Sequence, residues 1–301
     1  PSPSPPPLDG RPMTSPTRAP HHDPAVTEPA SQILANEGSP PRRRLLVLGS
    51  GTSTGVPVLG CDCAVCHSTN PKNQRTRPSV LLQFPAGNLL IDTTPEMRVQ
   101  LLREKISKVH AIAYTHPHAD HLFGLDDARL FPKAVGGAIP IFCEQQTEAA
   151  IRRAFHYAFP NEGEGYVPPR VGVPKITFER ITPNQPFQTL GQTLIPLRLQ
   201  HGKFQVLGFR CGSLAYCTDV NHIPEESWHW LENLETLILD ALRPEPHPTH
   251  FSLSQALEVI EQLRPQRAYL THLSHSFDHD VVESSLPANV ALTYDGLWLD
   301  F

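Results

Sequence analysis

The sequence lacks three features that would indicate a particular location or partner. None of its apolar runs approaches the ~20 residues that a helix needs to cross a bilayer. Its start has neither the basic stretch nor the apolar core of a secretory signal peptide. It also has no excess of positive charge, because the net charge is −5 at pH 7. We therefore expect a soluble cytoplasmic protein with no membrane partner and with no general attraction to nucleic acid.

Proline and histidine, by contrast, are abundant. Residues 1–43 carry 12 of the 33 prolines and show no hydrophobic periodicity, so this segment cannot bury enough apolar surface to offset its ordering entropy. We predict a disordered Pro-rich tail over residues 1–43 and one folded domain over residues 44–301. The 16 histidines are many for a chain of 301 residues and favour metal chemistry.

Hydrophobic patterns indicate an α/β protein. The predicted strands include 79–84, 88–92, 139–143, 187–200, 204–211 and 236–240, and the predicted helices include Pro95 to about Glu104 with Thr94 as cap, a segment near 122–130, 144–159 and 252–263. Strands and helices follow one another in two similar series along the chain. A four-layer αββα sandwich, with two mixed β-sheets back to back and helices on the outer faces, fits that order.

The segment His116-Pro-His-Ala-Asp-His121 is the most informative motif. It follows the apolar run 109–115, which is typical of a buried strand, so we expect its four potential ligands on the loop at the strand's end. Pro117 argues against one shared helix face. On an extended loop His116 and His118 point the same way, and Asp120 lies beyond them with His121, placed for a second ion. This density of donors suits Zn, Fe or Mn, and the alternative is a polar loop with incidental histidines.

Three further candidate ligands lie where predicted strands end. His201, Asp219 and His272 each follow an apolar run, at the edge where a strand delivers side chains into a cleft. With the first motif they make seven ligands, which is the number expected of a dinuclear centre with a bridging carboxylate.

The complete set resembles the signature of the metallo-β-lactamase fold superfamily over about residues 44–301. That family shares the His-x-His-x-Asp-His motif followed by a His, an Asp and a His. The resemblance implies a first metal bound by His116, His118 and His201, a second bound by Asp120, His121 and His272, and a bridging Asp219. Two divalent ions of this kind lower the pKa of a shared water and neutralise charge on a phosphoryl oxygen, so the expected reaction is hydrolysis.

A second cluster is formed by Cys61, Cys63 and Cys66. Three thiols within six residues of a chain without secretory features suggest a structural zinc site that lacks one ligand, which is either His67 or a distant histidine. A disulfide is the alternative, disfavoured because cytosolic thiols stay reduced. A redox role for the Cys-x-x-Cys pair is less favoured still, because no βαβ unit surrounds it.

The loop at 49–57, the cysteine cluster and the run Thr271-His-Leu-Ser-His-Ser-Phe-Asp278 together look like the cyclic-phosphate phosphodiesterase (PhnP-like) family of the carbon–phosphorus lyase pathway. The resemblance implies that the structural zinc is bound by Cys61, Cys63, Cys66 and His275. A homodimer is suggested only by the resemblance.

His250 lies in the loop just before the predicted helix 252–263, next to the expected site. In the resembling family a histidine at this point is the catalytic acid, which would protonate the leaving alkoxide. His247 is the competing candidate, and the alternative for His250 is an ordinary polar residue of a first helical turn. We predict His250 and Asp120 as catalytic residues, the latter in addition to its role as ligand.

These inferences predict a phosphodiesterase with two active-site Zn or Mn ions and one structural Zn. It would hydrolyse a small cyclic phosphodiester, of the phosphoribosyl 1,2-cyclic phosphate type, by metal-bound hydroxide. The rivals are a tRNA 3′-end processing endoribonuclease, a pyrroloquinoline quinone biosynthesis type protein and a non-enzymatic metal-binding scaffold. Residues 124–200 carry eight basic and seven acidic side chains, which argues against a basic arm for tRNA.

Overall fold

The computed structural model describes residues 43–159 and 172–301. The predicted Pro-rich tail lies outside the described residues except for Arg43, and residues 160–171 also lie outside them. Among the described helices, none combines the length and the apolar character that crossing a membrane requires.

The strands in chain order are β1 (Arg44–Gly49), β2 (Ser79–Phe84), β3 (Gly87–Ile91), β4 (Ala111–Ala113), β5 (Ile139–Cys143), β6 (Ile176–Arg180), β7 (Phe187–Thr189), β8 (Gln192–His201), β9 (Phe204–Cys211), β10 (Leu214–Cys217), β11 (Thr236–Asp240), β12 (Arg267–Thr271), β13 (Val290–Leu292) and β14 (Trp298–Asp300). The α-helices are α1 (Met97–Arg103), α2 (Ala119–Leu122), α3 (Phe131–Val135), α4 (Gln145–Ala154), α5 (Glu225–Trp228), α6 (Leu253–Leu263) and α7 (His279–Glu283). Short 3₁₀ helices lie at Pro71–Asn73, Leu125–Leu130, His156–Ala158 and His229–Leu231.

The strands form two seven-stranded mixed sheets. The first has the order β14-β1-β2-β3-β4-β5-β6 and the second the order β13-β12-β11-β10-β9-β8-β7. In the first sheet β3 to β6 run parallel, and in the second β10 to β13 run parallel. The carboxyl ends of these parallel strands therefore lie at one edge of each sheet, which is where side chains for a site can converge.

Alternation along β1 shows how the layers are held. Leu45 and Val47 pack with residues of the second sheet, whereas Leu46 and Leu48 pack with the helices on the other face. A third cluster lies between the second sheet and α6. One strand can serve two cores because its side chains alternate between faces. The expected four-layer sandwich of two mixed sheets flanked by helices is confirmed.

Two of the predicted elements were wrong. The helix expected near 122–130 is the 3₁₀ helix Leu125–Leu130 after the single turn α2. The strand expected over 187–200 is the hairpin β7–β8, whose two-residue turn has Leu190 and Gly191 at positive φ. Of these two residues, only Gly191 is a residue type that predicts such a turn from the sequence.

Helix α1 begins two residues after the predicted start. Its first residue is Met97 and its N-cap is Glu96, not Thr94. The Thr94 hydroxyl donates to the Glu96 carboxylate at 2.8 Å, so its side chain does not cap the helix.

Candidate metal centre

The segment 116–121 combines an extended stretch with one helical turn. His116 and His118 lie in the extended stretch, and Asp120 and His121 lie in α2. The prediction that all four lie on an extended loop was wrong for Asp120 and His121. The end of this turn packs tightly on the segment that follows β3: a Cβ on Gly124 would lie 2.1 Å from the carbonyl oxygen of Thr94. Only glycine fits at this position, so Gly124 helps to fix the position of α2.

The first donor cluster contains His116, His118 and His201, whose ligand atoms all lie within 4.8 Å of one another. The segment after β4 contributes two of them, and the last residue of β8 contributes the third. The ring centroids of His118 and His201 are 5.2 Å apart. Two of these rings are buried and His118 is half-buried, so the cluster opens to solvent on the His118 side.

The second donor cluster contains Asp120, His121, Asp219 and His272, which are all buried and whose ligand atoms also lie within 4.8 Å of one another. Asp219 follows β10 and His272 follows β12. Both have positive φ, at 54° and 62°. A non-glycine residue in this region costs about 1–2 kcal/mol, and such strain is typical of functional sites.

The Asp219 carboxylate lies between the two clusters. Its Oδ1 is 3.9 Å from His116 Nε2 in the first cluster and 3.4 Å from His272 Nε2 in the second. Its Oδ2 is 3.2 Å from His121 Nε2. One carboxylate thus faces imidazoles of both clusters, as a bridging ligand would.

Three of the imidazoles are oriented by hydrogen bonds from Nδ1. His121 Nδ1 donates to Asp92 Oδ2 at 2.7 Å, and His201 Nδ1 donates to the Thr249 carbonyl at 2.7 Å. The Thr115 hydroxyl donates a hydrogen bond to Asp92, so it accepts one from His116 Nδ1 at 2.9 Å. Because Nδ1 of each ring is engaged in a hydrogen bond, Nε2 is the nitrogen left for a metal.

The residues fit divalent metal ions. Buried ring nitrogens without a hydrogen-bond partner among the described residues include Nε2 of His116, His121 and His272. Buried polar atoms are rarely left without a partner, and a metal would satisfy these. Burial lowers the pKa of His121, but the carboxylates of Asp219 and Asp120 outweigh burial and raise this pKa well above its ordinary value. The second cluster therefore attracts positive charge.

Two buried aspartates around the centre were missed by the sequence analysis. Asp92 follows β3 and, besides orienting His121, accepts from the backbone N–H of Thr115 at 2.9 Å. Burial raises the pKa of Asp92 and outweighs the opposing charge of His121. Asp240 ends β11 and accepts from the backbone N–H of Val220 at 2.8 Å. Asp92 directly follows an apolar strand and Asp240 ends one, which is the same sequence signal that pointed to His201.

His250 lies beside the centre. Its Nδ1 is 2.7 Å from Asp240 Oδ2, and its ring stacks on that of His272 with centroids 4.6 Å apart. Its ligand atom lies within 4.8 Å of those of His201 and Asp219. Burial lowers the pKa of His250, against the raising effect of Asp219 and Asp120.

The competing candidate, His247, lies further out. Its ring centroid is 5.3 Å from that of His250, and its Nδ1 faces the Thr249 hydroxyl at 3.2 Å. None of the described donor clusters includes it. The structure therefore places His250, and not His247, against the candidate ligands.

The cysteine cluster is completed by His275. Its Nδ1 is 3.2 Å from Cys61 Sγ and 3.5 Å from the sulfurs of Cys63 and Cys66. All three cysteines are free thiols. His67, the other candidate for the fourth position, is exposed and faces Asp62 at 3.4 Å.

The thiols of this cluster differ in acidity. A hydrogen bond from the Cys66 backbone is the main cause that lowers the pKa of Cys63 to about 6, whereas burial raises the pKa of Cys66 to about 11. The cluster offers three sulfurs and one nitrogen at close range, which is the donor set of a structural zinc site.

The buried guanidinium of Arg75 links the two centres. Nη1 donates to the carbonyl of Ser274 at 2.9 Å, and Nη2 donates to the carbonyl of Phe277 at 2.8 Å and to Asn73 Oδ1 at 3.0 Å. The bonded carbonyls flank His275, and His272 lies just before them. One side chain thus holds the segment that carries a candidate ligand for each centre.

The chain is similar in sequence and fold to several known proteins. A family model for the beta-lactamase superfamily domain matches residues 87–273. An octanoyltransferase of Porphyromonas gingivalis (strain ATCC BAA-308 / W83) is 37% identical over 257 residues, which cover 84% of this chain and 51% of that protein. This chain therefore spans about half the length of that relative.

Among solved structures, a diphosphatase from the PhnP family is 42% identical with a TM-score of 0.79, and the match covers 86% of this chain and 98% of that one. Zn²⁺-bound PqqB from Methylobacterium extorquens is 17% identical with a TM-score of 0.68, over 86% of this chain and 100% of that one. At that identity the second likeness shows the fold alone.

Proposed function

Because this chain belongs to the beta-lactamase superfamily and, within it, to the PhnP family, we propose that it is a metal-dependent hydrolase that opens a small cyclic phosphodiester at a dinuclear centre. The carrying observation is the position of Asp219, whose two oxygens lie 3.2–3.9 Å from imidazoles of both donor clusters. A carboxylate shared between two donor sets is typical of a dinuclear site, whereas a single structural ion has no use for one.

The residues that would hold the two metals divide as the clusters do. His116, His118 and His201 would hold one ion, Asp120, His121 and His272 the other, and Asp219 both. Bound there, divalent ions supply Lewis acidity toward a phosphoryl oxygen and lower the pKa of a water. Mixed imidazole and carboxylate donors accept Zn and Mn alike.

His250 would hold the proton for the leaving oxygen. Asp240 Oδ2 lies 2.7 Å from Nδ1 of this ring, and this contact fixes the imidazole. Nε2 is then the atom that would exchange a proton with the substrate. Burial raises the pKa of Asp240 well above its ordinary value. Through its contact with Nδ1, this carboxyl group would position His250.

The cysteine cluster would hold a structural zinc ion that is separate from catalysis. His275, its fourth donor, is three residues from His272, so an ion there would restrain the loop that carries a ligand of the dinuclear centre. Binding at such a site stabilises the folded state, because the unfolded chain has no preformed set of donors.

Two other activities are less well supported. The net charge of −5 disfavours binding of precursor tRNA, which depends on neutralising phosphates. The octanoyl transfer in the name of the Porphyromonas gingivalis relative is not proposed for this chain, since the chain matches only 51% of that protein.

The test is ³¹P NMR of the metal-loaded full chain with ribose 1,2-cyclic phosphate 5-phosphate, a 2′,3′-cyclic nucleotide and a precursor tRNA. We expect fast opening of a small cyclic phosphate and little action on tRNA. Asp219→Asn, which keeps the shape of the side chain but removes its charge, should abolish turnover and lower the metal content. Preference for tRNA, or turnover that survives Asp219→Asn, would contradict the proposal.

A further inference from the structure

The tip of the β8–β9 hairpin carries a phenylalanine next to the first donor cluster. The register pairs His201 with Phe204 across the two-residue turn Gly202–Lys203. Side chains of directly paired residues project from the same face of a sheet. Phe204 therefore lies on the side from which His201 joins the cluster.

Phe204 touches the cluster and yet remains open to solvent. Its ring centroid is 5.5 Å from that of His118, with the ring planes at 81°. The residue is 62% exposed, so this contact covers only a part of it. A flat apolar surface is thus presented beside the place where a substrate's phosphate would bind, on the side where the cluster opens.

The hairpin tip is held in place by several contacts. Gly202 has φ of +60°, and its backbone N–H donates to Asn221 Oδ1 at 2.7 Å. A Cβ at this position would lie 2.7 Å from Thr249 Cγ2, so the turn packs closely on the loop that leads to His250. Phe204 is therefore pre-positioned, and little conformational freedom is lost when a ligand contacts it.

We propose that Phe204 is a stacking platform for a planar ring carried by the substrate, so that this site takes nucleotides in preference to bare sugar phosphates. The inference rests on the proposed hydrolysis of phosphodiesters and adds the class of substrate. An exposed aromatic side chain stacks on the face of any nucleobase without hydrogen-bond readout. A sugar phosphate without a base leaves the surface of Phe204 in water.

Binding probes test the platform without turnover. Adenosine 5′-monophosphate and ribose 5-phosphate differ only by the adenine ring, and octyl phosphate offers an apolar group that cannot stack. Isothermal titration of the metal-loaded full chain should show adenosine 5′-monophosphate binding about tenfold more tightly than ribose 5-phosphate, the scale of one base–aromatic stack. Phe204→Ala should bring this ratio to about one, and Phe204→Trp should restore it.

Leu102→Ala is the matched control, because Leu102 is also 62% exposed but lies on α1. It should keep the wild-type ratio. An unchanged ratio in Phe204→Ala, or equal weakening of octyl phosphate and adenosine 5′-monophosphate in that variant, would overturn the platform. Failure of the proposed function is distinguishable, since it would appear as absence of phosphodiester turnover whatever the binding ratio.

Discussion

Replacing Arg75 by methionine tests whether one buried side chain stabilises the loop that serves both centres. Arg75 is only 2% exposed and donates three hydrogen bonds of 2.8–3.0 Å. Methionine fills much of the same volume but donates none. The substitution thus leaves two backbone carbonyls and Asn73 Oδ1 buried without their donor.

The expected cost follows from these bonds. Burial lowers the pKa of Arg75 to about 10, while Asp295 and Asp278 oppose that shift, so the guanidinium remains charged at neutral pH. Hydrogen bonds from a charged group contribute about 1.5–3 kcal/mol each, and recovery of the desolvation cost offsets a part of the sum. We expect the free energy of unfolding to fall by about 3–5 kcal/mol, the usual loss when one partner of a buried charged network is removed.

Urea unfolding of the metal-loaded protein, followed by circular dichroism, measures this change. Arg98→Met is the control, because Arg98 is exposed on α1, and it should change stability by no more than about 0.5 kcal/mol. Arg75→Lys should recover only a part of the loss, since lysine cannot present the planar fork that spans both carbonyls. A loss below about 1 kcal/mol for Arg75→Met would refute the assignment of a stabilising role.

Three further predictions concern the acid, the cysteine cluster and the core. His250→Ala should lower kcat by ~10²-fold or more without metal loss, and His222→Ala, at an exposed histidine, should not; unchanged turnover of a substrate with a poor leaving group would count against the acid. Cys63→Ser should remove one ion per chain by elemental analysis and cost about 4 kcal/mol or more in unfolding, whereas unchanged metal content would disprove the zinc site. Phe209→Ala, at a position 2% exposed between the sheets, should cost about 3–5 kcal/mol in unfolding, and a cost near zero would show that the two sheets are not packed through it.

The sequence by itself determined the donor residues and the general architecture. One stretch of six residues contains His116, His118, Asp120 and His121, and another contains Cys61, Cys63 and Cys66. Local spacing alone therefore predicts two clusters of metal donors. Strand and helix periodicities indicated the two mixed sheets with their helices, because a buried face repeats at a fixed interval along the chain. The assignment of metals to these donors stays a prediction.

Only the tertiary structure decided how the donors are oriented. His121 Nδ1 donates its hydrogen bond to Asp92, which is 29 residues away along the chain. The two residues are adjacent only because β3 and β4 pair in parallel. The same holds for His250 and Asp240, whose contact depends on where β11 ends. The exposed ring of Phe204 reaches the site through the register of one hairpin. Hydrogen-bond partners and strand register depend on distances in space, and spacing along the chain does not encode them.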